Sequence, residues 1–246
     1  MSVFSKVIII LIFLLAGTLF SHNLVSINTD VGRHIKLGEI IWKNGEIPKT
    51  NLLSFTAPDY PFINHHWLSE VIFYGAYSLG ADLEKSFDKA QNYGAVWISG
   101  LQFIIIFKAV ILLAAYFLLF LTVRRHNIFA VVLAFLVSIF VFSARTEPRP
   151  EIFSYLIFAA YLLVLYRTRI SNFDRDSRLR TGTFSEKFRI SNFRFSGLWL
   201  LPILQLFWVN LHIYFVIGPI IFLFYLIDRA INENLNFKNW YLIKNL

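Results

Sequence analysis

Five apolar runs, beginning at Val7, Ala95, Ile128, Ile152 and Leu198, constrain this chain more than any other feature. They approach or exceed the ~20 residues that a helix needs to cross a bilayer, and a soluble domain has no use for so many. Helices satisfy their own backbone hydrogen bonds inside lipid, whereas a barrel would show ~10-residue alternating segments, which are absent. The expected fold class is therefore all-α: a polytopic membrane helical bundle of about five or six transmembrane helices with a large helical first extracytoplasmic loop.

The charges between the runs set the expected topology. The net charge of +8 falls mainly in these loops, where it reads as an orientation signal rather than a nucleic-acid footprint. A first helix over 7–27 starts in the cytoplasm, and no small-residue cleavage site follows its apolar stretch. Residues 28–94 form the outer loop, with six Lys/Arg against eight Asp/Glu over 28–93. A second helix over 95–123 returns inward to the basic knot Arg124-Arg125-His126, a third over 128–143 runs outward, and a fourth over 152–166 runs back. Between the third and fourth, Arg145 to Glu151 carries two prolines that force a tight turn. Residues 167–196 are a basic cytoplasmic loop, with eight Lys/Arg against three Asp/Glu over 167–194 and a repeated RISNF at Arg169 and Arg189. The span 197–228 is too long for one upright helix, and its break at Asn210-Leu211-His212 predicts two short helices or one kinked helix. Without cysteine there is neither a disulfide framework nor thiolate chemistry.

Asp30 to Glu70 is the only long polar segment that combines acidic, imidazole and aromatic side chains. Asp30 to Lys43 reads as an amphipathic helix with Val31, Ile35, Leu37, Ile40 and Ile41 on its apolar side. Asp30 is placed to cap its start and Asn44-Gly45 to stop it. Pro48 to Asn64 is expected to be extended, with turns at Pro58-Asp59 and Pro61, and a second helix over His65 to Leu79 to follow Asn64 as cap.

The topology gathers the unusual groups on one side. Asp30, His34, His65, His66 and Glu70 lie in the first outer loop, Arg145, Arg149 and Glu151 in the second, and Asn210 and His212 at the third. Lys108 sits about ten residues inside its helix, or about 15 Å, near mid-membrane, where a lysine costs at least about 2.5 kcal/mol and faces protein or a wet cavity. It is either a structural ion pair or a cationic seat for a phosphate. Asp30 serves as helix cap, general base or cation holder. His66 and Glu70, four apart, raise a metal reading, but adjacent histidines point to different faces and no third ligand is nearby. Any metal ligand set stays unknown, and a divalent cation is the one cofactor left open. His65, His66 and His212 read equally as interfacial anchors, substrate contacts or scaffold.

The order of features resembles bacterial members of the GT-C superfamily of multi-pass glycosyltransferases, over about residues 1 to 228. It rests on Asp30-x3-His34 with Gly38 and Gly45-Glu-Ile-Pro48, on SFTAPDYPFINHHWLSE from Ser54 to Glu70, on Arg149-Pro-Glu151 and on Trp208-Val-Asn-Leu-His212. The resemblance implies inverting transfer of a sugar from a polyprenyl-phosphate donor to a glycan, lipid or protein acceptor at the outer face of a bacterial-type plasma membrane. By that match, Asp30 is the active-site acid and Lys108, Arg145 or Arg149 hold the donor phosphate. Such enzymes usually have more membrane helices, so the chain reads as an N-terminal fragment of a longer protein. A non-catalytic membrane scaffold, or a transporter or flippase component, is the alternative, though no inverted repeat supports transport.

Overall fold

A computed structural model describes residues 3–21, 29–90, 99–143, 147–181 and 197–244. Among these the chain is all-helical, with eight α-helices and no strand beyond one bridge, Thr50 to Pro61. They are α1 (Val3–Phe20), α2 (Thr29–Asn44), α3 (Trp67–Ala90), α4 (Gly100–Val123), α5 (Ile128–Ser143), α6 (Glu151–Thr181), α7 (Leu200–Leu211) and α8 (Ile217–Lys244). Short 3-10 turns at Gly197–Trp199 and Ile213–Val216 lead into α7 and α8. Four stretches are long and apolar enough to cross a bilayer: Val3–Phe20, Gly100–Val123, Glu151–Arg169 and Ile213–Ile231. The helices α5 and α7 are apolar but shorter. Their exposed faces carry residues such as Phe129, Phe140, Leu206 and Phe207, a pattern suited to lipid and not to water.

The bundle is built on α4, which packs along α6 and α3, with α1 laid against α4 and α5. Its interior is aromatic and aliphatic, around Phe20, Phe73, Ile104, Tyr116, Ile139, Phe153 and Trp208. Ser99 starts α4 with a reciprocal cap, accepting from the Gln102 backbone N–H while the Gln102 side chain accepts from its own N–H. The helix α3 runs past the expected end at Leu79, because Gly80 serves the crossing with α4 instead of stopping the helix. A Cβ there would lie 2.5 Å from Phe103 Cβ.

Further differences concern boundaries. Helix α6 continues past Tyr166 to Thr181, so part of the expected basic loop is helical, and Arg169 pairs with Asp228 of α8 at 3.5 Å. The second RISNF copy, at Arg189, lies outside the described residues. The 197–228 span does divide at the expected break. His212 is extended (φ −164°, ψ 149°), and the Gln205 side chain fastens the two sides by donating to the Phe215 carbonyl at 3.0 Å.

Candidate functional site

Helix α2 is amphipathic as its pattern predicts, burying Val31, His34, Leu37 and Ile41 while Lys36, Glu39 and Lys43 form an exposed ion-pair ladder. It ends at Asn44, where Gly45 at φ 71° returns its N–H to the Ile41 carbonyl. Asp30 lies in the first turn and not at the cap, where its charge favours the positive N-terminal end of the helix. Helix α3 packs directly on α2. That contact depends on Gly38: a Cβ there would come 2.0 Å from the Glu70 carbonyl oxygen. The missing side chain lets α2 lie against the first turn of α3 and brings His34, one turn earlier, onto the Glu70 side chain.

Glu70 is 1% exposed and both its oxygens are used. His34 Nδ1 lies 3.2 Å from Oε1, and Asn64 Nδ2 donates to Oε2 at 2.5 Å. The partner of Glu70 is thus His34 from another helix, and not His66, whose spacing of four had raised a metal reading. His66 precedes α3 and contributes only its carbonyl to the first helical bond, accepting from the Glu70 N–H at 3.0 Å, while Asn64 Oδ1 accepts from the His66 N–H. Its ring therefore does not share a helical face with Glu70 and turns elsewhere. Replacing Glu70 by Ala should orphan His34 and Asn64 at about 1–3 kcal/mol each. A detergent-solubilised melting curve will show this as a clear loss of stability, with Glu70→Gln losing less because it still offers one acceptor oxygen.

His66 stacks instead on His212, ring centroids 5.3 Å apart and planes 24° from parallel. His34 lies 6.3 Å from His66 on another side. Next door, Trp67 Nε1 donates to Asn210 Oδ1 at 2.9 Å. His212 is oriented from below: Trp208 Nε1 donates to Ser154 Oγ at 2.9 Å, and Ser154 Oγ lies 2.9 Å from His212 Nδ1. An indole N–H only donates, so the Ser154 oxygen accepts from Trp208 and holds His212 Nδ1 at hydrogen-bond distance on its other side. Burial, and then the neighbouring His34, hold the His66 imidazole below its ordinary range.

The turn before α6 adds the charged group. Pro148 and Pro150 flank Arg149, whose N–H bonds to the Glu147 carbonyl, and α6 starts at Glu151. Arg149 reaches Asp30 at 3.7 Å, Glu147 at 2.7 Å and Glu151 at 4.0 Å, and Tyr155 donates to Glu151 at 3.2 Å. Two buried side-chain nitrogens have no hydrogen-bond partner among the described residues, and both belong here: Arg149 Nε and His66 Nδ1.

The structure thus joins Asp30, Arg149 and Glu151 in one cluster and His34, Glu70, His66 and His212 in another, linked through α2. His65 is exposed beside His66, ring centroids 6.4 Å apart. Lys108 is wholly enclosed in the bundle interior, 0% exposed. Arg145 lies outside the described residues. Among the described residues no three His, Asp or Glu side chains are grouped to hold a metal ion. Sequence reading missed Ser154, which sits in an apolar run without a pattern to mark it, marked Trp208 only as the start of the run ending at His212, and took Asn64 only as a cap. Comparison with protein-family models, with curated proteins and with solved structures finds no match to this chain.

Proposed function

We propose that this chain is a membrane glycosyltransferase of the GT-C type, moving a sugar with inversion from a polyprenyl-phosphate donor to an acceptor. In this reading the Asp30–Arg149 end faces the extracytoplasmic side, with the N-terminus in the cytoplasm. The observation that carries the reading is the meeting of Asp30 with Arg149, which the chain delivers from separate segments to 3.7 Å. A carboxylate beside a guanidinium suits a reaction in which a proton leaves one partner as negative charge grows on the other. Arg149 keeps a buried N–H without a hydrogen-bond partner among the described residues, and a phosphate oxygen is the kind of acceptor that fits it.

The acceptor hydroxyl gives its proton to Asp30 as its oxygen bonds to the anomeric carbon. The bond from that carbon to the phosphate oxygen breaks, and the lipid phosphate leaves with the electron pair. Arg149 stabilises that developing charge. Glu147 and Glu151 hold the guanidinium from the other side and fix its direction. Lys108, enclosed in the core, then serves the bundle and not the donor; its burial is the observation that favours a plain scaffold.

The test is transfer from radiolabelled polyprenyl-phosphate sugars in membranes containing the chain. Arg149→Gln should lower the rate about 10²-fold at unchanged expression, the scale for removing one charge-stabilising donor. Equal transfer by Arg149→Gln removes Arg149 from the mechanism, and no transfer by the parent chain with any sugar brings the scaffold forward.

A further inference from the structure

The α2–α3 segment carries Asp30 and His34, and it meets the α7–α8 elbow through two neighbouring contacts: the His66–His212 ring stack and the Trp67–Asn210 hydrogen bond. We propose that the His66–His212 stack is a proton-operated latch, closed while both rings are neutral and opened when His66 takes up a proton, so that the α2–α3 segment loosens from the elbow. In calling what it regulates a transfer site, the inference rests on the function proposed above; the latch itself is read from the rings alone.

Each ring is arranged for the neutral form. His212 Nδ1 is held 2.9 Å from the Ser154 hydroxyl, which also takes the Trp208 N–H, so the ring sits in an uncharged network of hydrogen bonds. His66 Nδ1 is buried without a hydrogen-bond partner among the described residues, so the imidazolium, with an N–H on both nitrogens, would leave a charged donor unsatisfied there. The groups facing His66 make the same point. His34 and Arg33 stand on the α2 side, His65 beside it and His212 across the stack, with Tyr214 in edge contact behind His212 at 4.3 Å. Of these, His34, His65 and Arg33 oppose a new positive charge on His66. Glu70 alone favours it, and its two oxygens are already engaged by His34 and Asn64.

The sign follows. A histidine whose proton affinity is reduced in the closed form stabilises that form fully above the free imidazole value of about 6.5, and the contribution is lost as pH falls through its own lower value. The latch therefore opens on the acid side. His34 sits one turn from Asp30 on α2, so the segment that moves is the one that brings Asp30 to Arg149.

The chain has no cysteine, so Tyr60→Cys with Val216→Cys gives a single pair of label sites, both exposed and one on each side of the latch. Spin-label distances in lipid nanodiscs should form one narrow population at about pH 7.5 and a longer, broader one at about pH 5, with the half-change below about 6.5. His66→Phe keeps a stacking ring that does not titrate, and should hold the narrow population at both pH values. Trp67→Phe removes the neighbouring hydrogen bond and should move the half-change upward; this arm decides if His66→Phe fails to reach the membrane. One unchanged distance in the parent pair across the pH range, or an undiminished response in His66→Phe, overturns the latch. The readout is a distance and not sugar transfer, so a failed latch and a failed transferase reading remain separate results.

Discussion

Replacing Asp30 by Asn is expected to abolish sugar transfer while leaving expression, membrane insertion and thermal stability close to those of the parent chain. The separation follows from where the residue sits. Asp30 and Arg149 are about half exposed, at 43% and 40%, and 3.7 Å apart, and such a pair contributes at most about 1 kcal/mol. Arg149 retains Glu147 at 2.7 Å when Asp30 is neutralised, so the turn before α6 keeps its charge balance. What the amide loses is basicity. Asn has the shape of Asp but accepts no proton, and the proposed step needs an acceptor for the hydroxyl proton as the new bond forms. Transfer assays and melting curves on the same preparation decide the matter. Full transfer by Asp30→Asn would exclude it as the base, and a melting temperature that falls together with activity would make its role structural.

The second large effect is on the fold. Gly38→Ala should strongly destabilise the packing of α2 on α3, whereas Gly32→Ala, two turns earlier in the same helix, should stabilise it slightly. At Gly38 the added methyl would lie 2.0 Å from the Glu70 carbonyl oxygen, 2.5 Å from its carbon and 2.8 Å from Tyr74 Cβ. Two of these are backbone atoms of a helix, which have no rotamer to move away, so the helices must part. Overpacking costs about 1–3 kcal/mol even where side chains can give, and here the shift also pulls His34 off Glu70. At Gly32 nothing lies within 4 Å of the same methyl. Ala in place of Gly in an exposed helical position is worth about 0.4–1 kcal/mol through the unfolded chain. The pair is a controlled comparison: one helix, one substitution, opposite signs on a thermal or denaturant melt. A mild effect at Gly38 would show that α2 and α3 do not meet as closely as described.

The residues that the sequence marked as unusual and those that the fold assembles overlap, with instructive gaps. Asp30 and Arg149 are both marked by their positions at the ends of apolar runs, and the fold unites them. The spacing of His66 and Glu70 that raised a metal reading assumes a helix from His65, but helix α3 starts at Trp67, after His66. A spacing rule holds only inside a helix, and Asn64 decides where this one begins by taking the His66 N–H. Lys108 stood out because a charge inside an apolar run is costly; the fold places it inside the bundle core, where no spacing argument could assign it a surface. Ser154 left no trace in the pattern, since a serine in an apolar helix is ordinary until a histidine is brought against it; Trp208 was marked only as part of the run that ends at His212, without its hydroxyl partner.

The sequence by itself determined that this is an all-helical membrane protein, where its apolar helices lie, that α2 is amphipathic and stops at Gly45, and that the last apolar span breaks at His212. These follow from local causes: apolar length, helical periodicity, and the freedom of glycine at positive φ. Tertiary structure alone decided that Glu70 serves His34, that His66 stacks on His212, that Gly38 is a point of contact between helices, and that Arg149 stands beside Asp30. Each of those joins residues far apart in the chain, and what selects them is which side chains fit together once the helices are packed.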